Sequence, residues 1–377
     1  MRKLRILAFF FITYGIYGKV VGGDQRRHME VASGMQSLGA EVFSLEYKPS
    51  LSKSWGYSDH HVIEFRKRFE KHGLIEIFFQ VLNGLRCCRR FKCDVVFVPA
   101  PNLIGTFDMI PPLLVSILCR KPLVIVIHAN QRSVNDPNRF AKDRNPIRFL
   151  AFLRAKTCIS VSRASAVDMR RIFKLNRVIV TGNGVNINKF SKSEKQTPVY
   201  DTIFFGRISV EKGLSTLLEA WKIVVAEMPQ VKLVFMGGFS GNQKEEMMKI
   251  IERLEISNNV EFTGFVTDQE VVNKLNSSRI FVLPSIDEGF GLTVLEAMAA
   301  GLPCILSDLP TFKENFGSTA VFFEVRNAKS LAQQIMNLLS DPALRMELGK
   351  KGQEMAKKHS WENVAKKELK VLESVST

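Results

Sequence analysis

Residues Arg279–Pro303 read RIFVLPSIDEGFGLTVLEAMAAGLP. A continuous apolar run leads into a polar turn with two glycines, then into a helical pattern closed by Gly301 and Pro303. An apolar run without alternation is the mark of a strand buried on both faces, and strand, turn and helix in that order build a parallel α/β sheet. Glu288 and Glu296 lie on either side of the helix start. Their spacing alone carries little, because about one such pair arises by chance in a chain of this length. The neighbourhood carries the signal. Gly289 and Gly291 let a ligand approach the backbone, while Leu292, Leu295 and Met298 form one apolar helical face. A helix N-terminus favours phosphate and a carboxylate favours sugar hydroxyls, so the segment suits a sugar nucleotide. The plain alternative is a Glu296 that only complements the helix dipole.

Upstream, Phe204–Trp221 reads FFGRISVEKGLSTLLEAW. A strand ends at Gly206, Arg207 and Lys212 flank a short loop, and a helix begins near Gly213. Two cations at the carboxyl end of a strand suit a diphosphate, Arg as a fork and Lys as a point charge. Two solvated surface cations are the bland reading in so basic a chain.

The same strand–helix alternation runs through both halves: LRILAFFFI, AEVFSLEY, DVVFVPAP, PLVIVIH, KTCISVS and RVIVTG in the first, DTIFFG, VKLVFMGG, VEFTG, RIFVLPS, LPCILSD and AVFFE in the second. The pattern predicts a doubly wound α/β arrangement made twice. With 377 residues two domains are expected. The polar stretch KFSKSEKQTPV, residues 189–199, reads as the linker. The expected domains are therefore residues 1–190 and 200–359, with the apolar-striped segment 360–377 packing back on the first.

Other features are weaker. The paired Gly22 and Gly23 between the first strand and first helix permit a tight turn whose N–H groups can face an anion. They do not make the GxGxxG fingerprint. His128 ends the strongest strand, where open α/β sheets place ligands. The turn at Asn183–Gly184 closes the first domain, with structural and site readings open. From Val62 to Lys92 an apolar spacing interleaved with Arg and Lys fits either a helix at a membrane interface or a core-facing helix with a solvated basic face. No HExxH, CxxC or paired acidic motif suggests a metal.

Composition narrows the field. Hydrophobic residues make up 46% and charged residues 24%, ordinary for a soluble globular protein. The basic first residues and apolar run imitate a secretory signal. No small-residue cleavage site follows and the run is too short to span a bilayer, so a buried first strand is expected. Six scattered cysteines are read as reduced thiols of a cytoplasmic protein. The net charge of +16 is uneven: residues 1–200 hold 33 Lys and Arg against 14 Asp and Glu, residues 201–377 hold 20 against 23. A bias confined to one half suggests that half faces an anionic surface.

With these residues in view, the chain resembles the retaining GT-B glycosyltransferases of the large family-4 type. EGFGLTVLEAMAAGLP resembles the family's glutamate motif and FFGRISVEKG its diphosphate-binding loop. TGNGVNINKF resembles the interdomain segment, with Asn186 at the usual Asp position, VSRASAVDMRRI the helix entry before it, and VGGDQRRH the glycine loop. The resemblance implies two Rossmann-like domains facing across a cleft. It implies that Arg207 and Lys212 neutralise the donor diphosphate, and that Glu288 and His128 sit with them at the reacting sugar. Donor contacts would come from Glu296 on the ribose, and from Gly289, Phe290, Gly291, Leu292 and Thr293 around the helix start. Gly206, Gly22 and Gly23 complete that set.

No metal or cofactor is implied beyond the nucleotide-sugar substrate. Attack on the same face of the sugar would retain configuration, the leaving phosphate accepting the acceptor's proton. The basic half points to a lipid-linked acceptor, as in cell-envelope glycan synthesis, and to a peripheral position on the inner face of the membrane. Two other readings stand beside it. A nucleotide-sugar epimerase could share the fold, and a nucleic-acid binder could exploit the charge, although the chain lacks the aromatic-interleaved basic motifs of such modules.

Overall fold

The computed structural model describes residues 3–9, 23–46, 61–64, 74–99, 109–128, 146–191 and 197–376. The chain forms two compact units, Met1–Asn183 with Trp361–Thr377, and Gly184–Ser360.

The first unit carries β1 (Arg5–Phe9), β2 (Glu41–Glu46), β3 (His61–Glu64), β4 (Val95–Val98), β5 (Leu123–Ile127), β6 (Thr157–Ser160) and β7 (Val178–Val180). They form one sheet in the order β3-β2-β1-β4-β5-β6-β7, and every described pairing is parallel. Strands β4, β5 and β6 are buried along their whole length, as their unbroken apolar runs require. The helices are α1 (Gly23–Ser37), α2 (Leu74–Arg90), α3 (Ile110–Leu118), α4 (Pro146–Arg154) and α5 (Arg163–Phe173). Ser162 starts α5 by accepting the Ser165 N–H at 3.2 Å.

The second unit holds α6 (Ile187–Phe190), β8 (Tyr200–Phe205), α7 (Leu214–Glu227), β9 (Leu233–Met236), α8 (Gln243–Arg253), β10 (Val260–Gly264), α9 (Asp268–Asn276) and β11 (Ser278–Leu283). It continues with α10 (Leu292–Ala299), β12 (Cys304–Ser307), α11 (Pro310–Phe316), β13 (Val321–Phe323), α12 (Ala328–Ser340) and α13 (Pro342–Lys358). Its six strands run parallel in the order β10-β9-β8-β11-β12-β13. The order reverses between β8 and β11. Crossovers on the two sides of such a reversal diverge, so the strand ends there are left open to a ligand. The final helix, α14 (Trp361–Ser376), belongs to the first unit and packs on α1. The fit is close at Gly34, where an added Cβ would stand 2.6 Å from that of Ala365.

Two sequence expectations need correction. The amphipathic stretch Val62–Lys92 is not helical throughout: Val62 lies in β3, which pairs with β2, and the helix spans Leu74–Arg90. An edge strand of four residues offers too short a run to be told from the start of a helical stripe. The division also falls earlier than residues 189–199. Val185 N–H bonds the His359 carbonyl at 2.7 Å, and Lys189 Nζ bonds Asp268 at 2.5 Å, so α6 is tied into the second unit. Asn186 caps α6 by accepting the Lys189 N–H at 3.1 Å, a task Asn performs as well as Asp.

A buried network holds α14 to the first unit. The Arg27 guanidinium is 1% exposed and pairs with Glu368 of α14, which is fully buried. Arg27 also donates to Asn183 Oδ1 at 2.6 Å and to the Gly182 carbonyl at 3.1 Å, while Thr181 donates to Glu368 at 2.9 Å.

Candidate active site

The loops that follow β8 and β11 lie side by side at the reversal point of the second sheet. Three contacts join them. Ile286 N–H bonds the Glu211 carbonyl at 2.9 Å. Gly213 (φ 63°) presses on the end of β11, where an added Cβ would stand 2.1 Å from the Pro284 carbonyl oxygen. Lys212 Nζ pairs with the Glu288 carboxylate, whose other oxygen accepts the Gly289 N–H at 3.2 Å.

Helix α10 opens from this junction. Gly291 is its N-cap with φ 98°, a conformation a residue with Cβ rarely adopts, and no side chain caps the helix. Helix starts leave N–H groups without intrahelical partners. The open N-terminus of α10 therefore offers donors and a positive dipole end in the same loop that carries Glu288. Glu296 lies in the second turn of α10 and is 8% exposed. Leu292 and Thr293, the first helical residues, are half-buried.

Arg207 follows Gly206 at the end of β8 and bonds Glu211 at 2.9 Å. Burial would raise the Glu211 carboxyl, but hydrogen bonds within the loop and the charges of Arg207 and Lys212 overcome it and hold the group below its ordinary value.

The structure thus brings Arg207, Lys212, Glu288, Gly289, Gly291, Leu292, Thr293, Glu296 and Gly206 to one end of one sheet. Phe290 is placed differently from a ligand-facing side chain. It is buried against Phe316 and His359, ring centroids 6.0 Å apart in each case, and its carbonyl accepts from Asn315 at 3.2 Å. Its side chain is therefore taken up by core packing. His128 follows β5 in the first unit, and its Nε2 lies 2.5 Å from the Pro99 carbonyl oxygen. Gly23 is the first residue of α1, while Gly22 lies outside the described residues. Sequence reasoning missed Glu211, which anchors Arg207. Its place four residues on from Arg207 was the available signal.

A strand-end pair of loops with two cations, a carboxylate and an uncapped helix start can hold a diphosphate and orient a sugar. Two parallel-sheet Rossmann-like units, one carrying this site, fit the GT-B fold. The sequence comparisons give the family: the model described as Glycosyl transferases group 1 matches residues 185–355, and that described as Glycosyltransferase Family 4 matches residues 21–189. The chain belongs to the group 1 glycosyltransferases.

It is 25% identical over 221 residues to the O-antigen chain mannosyltransferase B of Escherichia coli, covering 55% of this chain and 58% of that one. It is 32% identical over 137 residues to the GDP-mannose:cellobiosyl-diphosphopolyprenol alpha-mannosyltransferase of Xanthomonas campestris, 36% of each chain. The matches thus span only part of these relatives' lengths. In fold, it resembles the Anabaena HepE structure in complex with UDP and glucose, with a TM-score of 0.77 at 19% identity over 98% of this chain and 100% of that one. Neither the epimerase nor the nucleic-acid reading gains support from these matches.

Proposed function

We propose that this glycosyltransferase takes its sugar from a nucleotide-sugar donor held by the second unit, retains the anomeric configuration, and needs no metal to do so. One observation carries the reading: the loops after β8 and β11 meet at the reversal of the sheet and set Lys212 beside Glu288 and the open start of α10.

When the anomeric C–O bond breaks, its electron pair leaves with the phosphate oxygen and the sugar becomes cation-like. The chemical demand is to stabilise the negative charge that develops on the leaving group. Lys212, Arg207 and the N–H groups at the start of α10 are fixed positive partners for it, so the charge is met without reorganisation. Glu288 is assigned to the sugar and Glu296 to the ribose hydroxyls. His128 keeps the role the resemblance gives it, beside the transferred sugar. The acceptor oxygen forms the new bond on the face the phosphate leaves, and its proton passes to the departing phosphate oxygen. No protein nucleophile is invoked.

The acceptor is read as lipid-linked and the protein as peripheral on the inner membrane face. Support comes from the basic first half of the chain and from a relative whose name specifies a diphosphopolyprenol acceptor. A thermal-shift panel of nucleotide sugars tests the donor, because a ligand that binds only the folded state must raise its stability. Proton NMR of the first product tests the stereochemistry. An inverted anomeric signal would end the retaining reading.

A further inference from the structure

We infer that the layer formed by α2, α3 and α4 of the first unit is a face that inserts into an anionic lipid surface. Helix α3, IPPLLVSIL, has no charged residue. A helix apolar all round belongs in a core. Here α3 is buried on one side only, and Leu114, Ile117 and Leu118, spaced for one stripe, are exposed, Leu118 by 56%.

Its two neighbours repeat the pattern. Helix α2, packed on α3, exposes Phe78 by 63% and Phe79 by 41%. Helix α4, also packed on α3, exposes Leu150 by 54% and Leu153 by 57%. Seven large apolar side chains are thus exposed on three helices that pack on one another, and clustered apolar exposure marks an interaction surface. The large exposed apolar residues of the second unit, such as Val210, Met248 and Met346, lie on separate elements.

Charge selects the occupant. Exposed Arg86, Arg89 and Arg90 end α2, Arg120 follows α3, and Arg154 and Lys156 end and follow α4. Helices α3 and α4 carry no Asp or Glu, and α2 carries only Glu76. An apolar face edged with cations and nearly free of anions matches acyl chains beneath negative headgroups. Among the described residues no helix is long and apolar enough to cross a membrane, so the face lies on the bilayer. The inference deepens the proposed membrane-borne acceptor but is argued from this face alone.

Flotation of the full chain with vesicles tests it, using phosphatidylcholine alone and an equal mixture with phosphatidylglycerol. The wild type is expected to float with the mixture and far less with phosphatidylcholine. Ile117→Glu with Leu118→Glu is expected to weaken flotation by roughly tenfold or more, and loss of each of Arg86 and Arg89 by about fivefold. The melting temperature and its rise with nucleotide sugar should be unchanged, since these side chains are exposed. Equal flotation on both vesicles, or wild-type flotation of the Ile117/Leu118 variant, overturns the proposal, as does a patch that drives only self-association or binding to a protein. Flotation without stabilisation by any nucleotide sugar would leave this face standing and remove the donor reading. Stabilisation without flotation would do the reverse.

Discussion

Lys212 and Glu288 form an ion pair that joins the loop after β8 to the loop after β11, with side chains 16% and 17% exposed. The cation assigned to the diphosphate is therefore held by the carboxylate assigned to the sugar. A pair at this depth keeps both long side chains in place, so little ordering is left for donor binding to complete.

Removing either partner leaves the other charge half-buried and loosens the junction. Lys212→Ala is expected to lower kcat by about 10²- to 10³-fold, the range for losing one fixed charge partner of a developing anion. Glu288→Gln should lower turnover through both the sugar contact and the freed lysine. The double variant should lose less than the product of the two single losses, because the residues act as a unit. Steady-state kinetics of the three variants, with circular dichroism to confirm folding, checks this.

Gly213→Ala tests the seam between the loops. The new Cβ would meet the Pro284 carbonyl oxygen at 2.1 Å, with φ at 63°. Backbone must move on one side or the other, so a loss of roughly 2 kcal/mol or more is expected in urea unfolding. A drop in activity should come with it.

The Arg27–Glu368 pair is a stability element of the first unit. Arg27→Met leaves a buried carboxylate with only Thr181 as a described partner. A loss of about 3–5 kcal/mol is expected, as for other broken buried pairs. Denaturant titration measures it, and a change below 1 kcal/mol, about the value of an exposed pair, would mean the network is not formed in solution.

Much of this architecture was legible in the sequence, for a physical reason. Strands buried on both faces must be continuously apolar, so PLVIVIH and RIFVLPS declared β5 and β11. The glycines and helix pattern after Pro284 declared α10. The edge strand His61–Glu64 was not legible, because a run of four residues is too short to show a period of its own. Arg27 and Glu368 stand 341 positions apart and meet only through the packing of α14 on α1. At the site, the residue types foretold the chemistry. The Lys212–Glu288 pair and the burial of Phe290 needed the fold, since both depend on which strands are neighbours.

Glu211 gives a pH signature. Its carboxyl is held below the ordinary value in the folded protein, so its contribution is present above the unfolded value and lost as pH falls through the folded one. Glu211→Gln should flatten the acid limb of the stability curve. At neutral pH the change should be under about 1 kcal/mol, because the pair with Arg207 is largely exposed. Melting curves taken between neutral and acid pH decide it.

The central claim is that the second unit holds a donor diphosphate between Lys212 and the start of α10, with Glu296 on the ribose. Calorimetric titration of the nucleotide sugar selected by the thermal-shift panel, into wild type, Lys212→Ala and Glu296→Ala, tests it most directly. Each variant should bind about tenfold or more weakly, the value of one charge-assisted hydrogen bond, while still unfolding in one cooperative transition without ligand. Folded variants that bind the donor with wild-type affinity would contradict it.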